Sequence, residues 1–72
     1  MIKKGQVYKH TENYTFVVVY INKYNFVHIL YNDDSKMMCS MKDLEEVIKA
    51  CELIAEYPTW QEAVNSKEFK ND

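Results

Sequence analysis

The chain contains no arginine; all nine of its basic residues are lysine. Arginine supplies the planar fork that reads phosphates, carboxylates and guanine edges through paired bonds. Its absence argues against sequence-specific DNA recognition and against a phosphoryl-transfer site. Glycine and proline occur once each, as Gly5 and Pro58. A phosphate-cradling loop has no glycines to form from. The composition is equally unlike that of a disordered chain. Cysteine occurs twice, as Cys39 and Cys51, and both lie among apolar neighbours. No apolar run is long enough for a membrane span or a signal-peptide core. These features favour two buried thiols in a reducing, cytoplasmic compartment over a disulfide between them, which the sequence leaves open, with no membrane partner.

What is present is apolar and aromatic. Of 72 residues, 47% are hydrophobic, and six Tyr, three Phe and Trp60 supply large rings. A chain this short buries only roughly 60% of the surface that it exposes when unfolded. Rings give much buried area per residue and offset that handicap. The length allows one domain and one core region. Charge is uneven. Residues 1–40 carry five lysines against three acids, giving +2, and residues 41–72 carry four against eight, giving −4.

Strand signals fill the first half. Residues 5–10 read as a short strand, and residues 10–13 as a polar turn. Tyr14 to Ile21 (YTFVVVYI) is rich in β-branched and aromatic residues and is the strongest strand signal. Asn22-Lys23 suits a tight hairpin, and residues 24–31 form a further strand. Asn32-Asp33-Asp34-Ser35 is a turn, and residues 36–39 a fourth, short strand. In the second strand Tyr14, Phe16, Val18 and Tyr20 share one face. Thr15, Val17, Val19 and Ile21 share the other. Both faces are apolar, which predicts cover on both sides. The helical half can cover one. A curled sheet or a second subunit is then needed for the other.

Ser40 opens a helix, with Asp43 at the capping-box position. Leu44, Val47, Ile48, Cys51, Ile54 and Ala55 recur at helical spacing, and charged residues occupy the opposite face. One long helix is therefore expected, ending at Tyr57-Pro58. Thr59-Trp60-Gln61-Glu62 repeats the cap and starts a short helix. Trp60, Ala63, Val64 and Phe69 are its core-facing residues. The tail over residues 70–72 is expected to fray.

Chemistry-bearing residues are few. His10, His28, Cys39 and Cys51 are metal-ligand types, but their spacing matches no zinc pattern. Cys39 and His28 are the one conceivable nucleophile and base, and no oxyanion turn accompanies them. Neither an enzyme nor a cofactor is expected. Binding is the alternative. Tyr and Trp are frequent interface anchors, so Tyr8, Tyr14, Tyr20, Tyr24, Tyr31 and Trp60, with Lys23, form the candidate surface. Tyr rings beside Lys3, Lys4, Lys9, Lys23 and Lys36 would also suit stacking on single-stranded nucleic acid, though the domain is not strongly basic.

The opening Gly5-Gln6-Val7-Tyr8, two long strands, a turn, and Ser40 leading into Asp43-Leu44 are similar in layout to small SH3-like barrels. The closing EYPTWQEAVNSKEF segment resembles that of short uncharacterised proteins from phages and prophages of Gram-positive bacteria. This second likeness covers the last fifth of the chain well. It carries no activity and no catalytic residues. It implies a small accessory protein that binds and diverts a host factor or a defence component. A few such proteins sequester small signalling nucleotides.

The resulting expectation is a single α+β domain. Residues 1–39 form a four-stranded antiparallel meander, with an SH3-like small barrel as one form of it. Residues 40–69 form one long and one short C-terminal helix. The expected function is non-enzymatic binding and modulation of a host protein, alone or as a homodimer. The alternatives are sequestration of a nucleotide-like ligand without turnover and single-stranded nucleic-acid binding.

Overall fold

The computed structural model describes residues 1–11 and 14–70. The turn expected over residues 10–13 lies partly outside them, and so does most of the tail. Among the described residues the fold is α+β, with one five-stranded antiparallel sheet and three short helices. The strands are β1 (Gln6–Thr11), β2 (Tyr14–Ile21), β3 (Phe26–Tyr31), β4 (Lys36–Ser40) and β5 (Glu52–Glu56). Their spatial order is β4-β3-β2-β1-β5. The helices are α1 (Met41–Val47), α2 (Trp60–Val64) and α3 (Lys67–Lys70), and a 3₁₀ turn spans Ile48–Ala50.

This corrects the four-stranded meander, with its SH3-like small-barrel form, and the one long helix. The helix beginning at Ser40 stops after two turns, tightens into the 3₁₀ turn, and Cys51 is already extended (φ −115°, ψ 165°). Residues 52–56 then pair antiparallel with β1. The reason is tertiary. A four-stranded meander would leave one edge of β1 unpaired, and ladder bonds to that edge outweigh the modest helix preference of Glu-Leu-Ile-Ala-Glu. The helical spacing of Ile54 and Ala55 has a different origin. The β1–β5 register passes from Val7↔Ala55 to Tyr8↔Leu53, so Ile54 is the extra residue of a bulge. A bulge turns two successive side chains to one face. Ile54 and Ala55 accordingly share a cluster with Val7.

The single core expected for this length is divided in two, one cluster on each face of the sheet. One comprises Ile2, Tyr8, Phe16, Val18, Val27, Ile29 and Leu44, with Ile48 and Cys51 packed against it. α1 and the 3₁₀ turn cover this face. The other comprises Val7, Val17, Ala63 and Phe69, with Val19, Leu30, Trp60 and Val64. α2 and α3 cover that one. The chain's own C-terminal helices thus supply the second cover, where a curled sheet or a second subunit was expected. Thr15, Phe16, Val17 and Val18 are all fully buried as a result.

Local chemistry sets the helix ends. The Ser40 hydroxyl accepts from the Asp43 amide at 3.1 Å, and the Thr59 hydroxyl from the Glu62 amide at 3.2 Å. Ser66 separates the last two helices: its hydroxyl donates to the Ala63 carbonyl at 2.6 Å and accepts from the Phe69 amide at 3.2 Å. Tyr57 donates its phenol proton to Glu68, which ties α3 to the end of β5.

Gly5 and Gln6 fasten the sheet where β1 meets β5. The Gly5 amide donates to the Val18 carbonyl at 2.9 Å, and the Gly5 carbonyl accepts from the Tyr57 amide at 3.0 Å. Gly5 has φ +88°, and a Cβ there would lie 2.1 Å from the Tyr57 carbonyl oxygen. The buried Gln6 amide group is fully used. Its Oε1 accepts from the Lys3 amide and the Tyr8 hydroxyl, and its Nε2 donates to the Met1 carbonyl and to Glu56. Gly5→Ala combines a forbidden backbone region with a backbone clash. It should cost about 3 kcal/mol or more, lowering the thermal midpoint by over about 12 °C in a domain of this size. A circular-dichroism melt checks this, and a midpoint within a few degrees of the parent would contradict it.

Candidate functional site

A second bulge shapes the surface. The β2–β3 register passes from Val18↔Ile29 to Tyr20↔His28, leaving Val19 as the extra residue. Beyond it the alternation is reversed. Ile21 joins the α1-side core, and Tyr20 moves to the α2 side beside His28, with ring centroids 5.6 Å apart. His28 in turn pairs with Met38. A row of Tyr20, His28 and Met38 therefore crosses three strands on the α2 side. Phe26 lies on the same face, two residues before His28.

The C-terminal helices do not reach this corner. Tyr20 is 51% exposed, Phe26 40% and Met38 55%. Between them and Trp60 runs a groove of about 450 Å³, lined by Val19, His28, Ile29, Leu30, Lys36, Met37, Met38 and Trp60. That volume lies within the usual range for binding clefts. Its walls are apolar except for His28 and Lys36. Trp60, the first residue of α2, packs against the α2-side core and forms the inner wall. β4 forms the outer wall and ends the sheet.

The seven candidate residues do not form one surface. Tyr8 is buried, stacks on Phe16 with centroids 5.4 Å apart, and donates its hydroxyl to Gln6. Burial, then the Glu56 carboxylate, pushes its phenol above the ordinary value. Tyr31 packs on Phe16 and meets Tyr14 edge-on at 5.9 Å, on the α1 side. Tyr24 is at the β2–β3 turn with the Lys23 ammonium 5.2 Å from its ring centre. That turn is held by Asn22, whose Oδ1 accepts from the Tyr24 and Phe26 amides, and its positive φ falls on Asn25. Only Tyr20 and Trp60 belong to the groove face. Val19, Phe26, His28, Leu30, Lys36 and Met38 were not foreseen there. The signal was the adjacent Met37-Met38 in a short strand just after an acidic turn, where an inner strand would carry β-branched residues.

The conceivable nucleophile and base are kept apart. His28 faces the groove, whereas Cys39 packs against the α1-side core. The sheet lies between them. Burial raises the Cys39 thiol above its ordinary value, and the Asp43 carboxylate adds to this. Burial also raises Cys51, whose thiol donates to the Val47 carbonyl at 3.3 Å. A raised thiol holds less of the reactive thiolate near neutral pH. Among the described residues no group of three His, Cys, Asp or Glu is placed to hold a metal. Among the same residues, no helix is long and apolar enough to cross a membrane.

Comparison with protein-family models, with curated proteins and with solved structures finds no match. Both thiols should react with iodoacetamide more slowly in the folded chain than in the urea-unfolded chain at about pH 8, the difference shrinking as pH rises. Mass-spectrometric time courses measure this. Equal rates in the two states would contradict the protonated, part-buried assignment.

Proposed function

We propose that this chain is a non-enzymatic binding protein that seats an apolar segment of a partner protein in the groove between Trp60 and β4. The observation that carries the reading is the row of exposed Tyr20, half-buried His28 and exposed Met38, opening into an apolar groove that the chain's own helices leave uncovered. Contiguous exposed apolar surface on a small domain marks a contact site. Trp60 and the methionines suit the role: a rigid ring gives an anchor, and unbranched thioethers adjust to an incoming side chain. Lys36 at the rim favours an acidic group next to the apolar anchor.

The partner in this reading is a host protein, and the site of action is the host cytoplasm. The likeness of the closing segment to small phage and prophage proteins supports an accessory role, in which the chain modulates the partner and does no chemistry on it. Raised thiols and a histidine on the opposite face from Cys39 favour binding over catalysis. Stacking on single-stranded nucleic acid is less favoured, because it needs rings on one platform, and here they are divided among both faces and a turn.

Retention of host proteins on immobilised chain tests the reading, with Tyr20→Ser/Met38→Ser compared against Leu53→Ser. Leu53 is 44% exposed on the distant β5 edge and serves as the control. The groove variant should weaken retention of a specific protein by about tenfold or more, and the control should retain it. Equal retention by all three forms would overturn the groove as the site.

A further inference from the structure

We propose that two copies of the chain pair antiparallel through their β4 edges, joining two five-stranded sheets into one of ten strands. The hydrogen-bond pattern identifies the free groups. The Met41 amide donates to Asn25 at 2.7 Å and the Tyr31 amide to Ser35 at 2.8 Å. Antiparallel ladders alternate bonded and non-bonded pairs. Between those two bonds the inward-bonding residues of β4 are therefore Met37, opposite Ile29, and Cys39, opposite Val27. Lys36 and Met38 turn both their backbone N–H and C=O groups outward, and Ser40 turns its N–H outward, its carbonyl being taken up by the first turn of α1. A row of such groups is a template for another strand.

The occupant follows from the edge itself. Centred on Met38, β4 is self-complementary across a two-fold axis. Met38 meets its own copy, and Lys36 meets Ser40, so all five residues pair and no charge faces its like. Such an isologous contact closes at two copies. β5, the other end of the sheet, is built differently. It carries a bulge at Ile54 and exposed acids at Glu52 and Glu56, which are common guards against pairing. β4 is unbroken in its register with β3 and carries one charge, Lys36. Met37 and Met38, 45% and 55% exposed, would lose water on pairing.

The pairing would also complete the groove. Met38 stands at its open rim, so the second copy's Met38 would extend that wall. The row Tyr20, His28, Met38 would then run on through the two-fold axis into its mirror sequence. The pairing needs only the purified chain and stands apart from the host-protein reading.

Sedimentation equilibrium of the purified chain over a micromolar to millimolar range tests this. The mass should rise from 8.6 kDa toward twice that value with concentration, since a five-residue edge makes a small contact. Met38→Lys places like charges directly opposite and should weaken association by about tenfold. Met38→Pro removes only an outward N–H and should do the same while a thermal melt shows the fold retained. Amide exchange adds a local readout. Met38 and Ser40 should gain protection with concentration, while Met37 and Cys39, already bonded to β3, should not. A monomer at millimolar concentration, or a dimer indifferent to Met38→Lys, would overturn the proposal.

Discussion

The ladder between β1 and β5 is the contact on which the remainder of the structure depends. β5 lies between two helical segments in the chain and at the margin of the sheet in space. The chain approaches it from α1 on one face and leaves it toward α2 on the other. A strand at the margin is where a chain can change faces without crossing the sheet. If residues 52–56 continued the helix begun at Ser40, Tyr57 would lack its bond to Gly5 and Thr59 would start α2 elsewhere. The second face of β2 would then be bare. Gly5 matters for the same reason. It lets β1 start, β2 pass and β5 end within bonding distance of one residue, and a single Cβ would separate them.

Covering both faces explains how so short a chain holds a fully buried central strand. It also explains what is left over. Helices as short as α2 and α3 cover the sheet near β1 and β2 but not as far as β4. The Val19 bulge turns Tyr20 outward onto that uncovered corner, and His28, Phe26 and Met38 extend it. The groove is thus a consequence of two lengths, a five-strand width and a short helical cover, with one bulge bringing Tyr20 to the same face beside it.

Much of this was legible in the residues. YTFVVVYI could only be a strand, and its two apolar faces required cover on both sides. Ser40 and Thr59 announced helix starts through their hydroxyls, and both accept the expected amides. The hidden features all depend on pairing or packing in three dimensions. Ile54 and Ala55 suit a helix face by spacing, and only the free edge of β1 makes them a bulged strand. Period-two alternation placed Tyr20 beside Phe16 and Ile21 beside Val19. The Val19 bulge reverses both, and no local preference marks it. Tyr8 offered an apolar ring and a polar tip, equally suited to a surface or to a core. Gln6, whose amide receives that hydroxyl, decided for the core.

Placement, more than residue type, decides which rings stay exposed. The tyrosines are numerous, but packing consumes Tyr8 and Tyr31, and the uncovered corner selects Tyr20. A nuclear Overhauser spectrum of the isolated chain tests the β1–β5 ladder most directly. The account predicts cross-strand contacts joining Val7 to Ala55 and Tyr8 to Leu53, with extended-chain sequential contacts through Glu52–Glu56. Helical contacts three residues apart running unbroken from Met41 to Glu56, with none to β1, would contradict it.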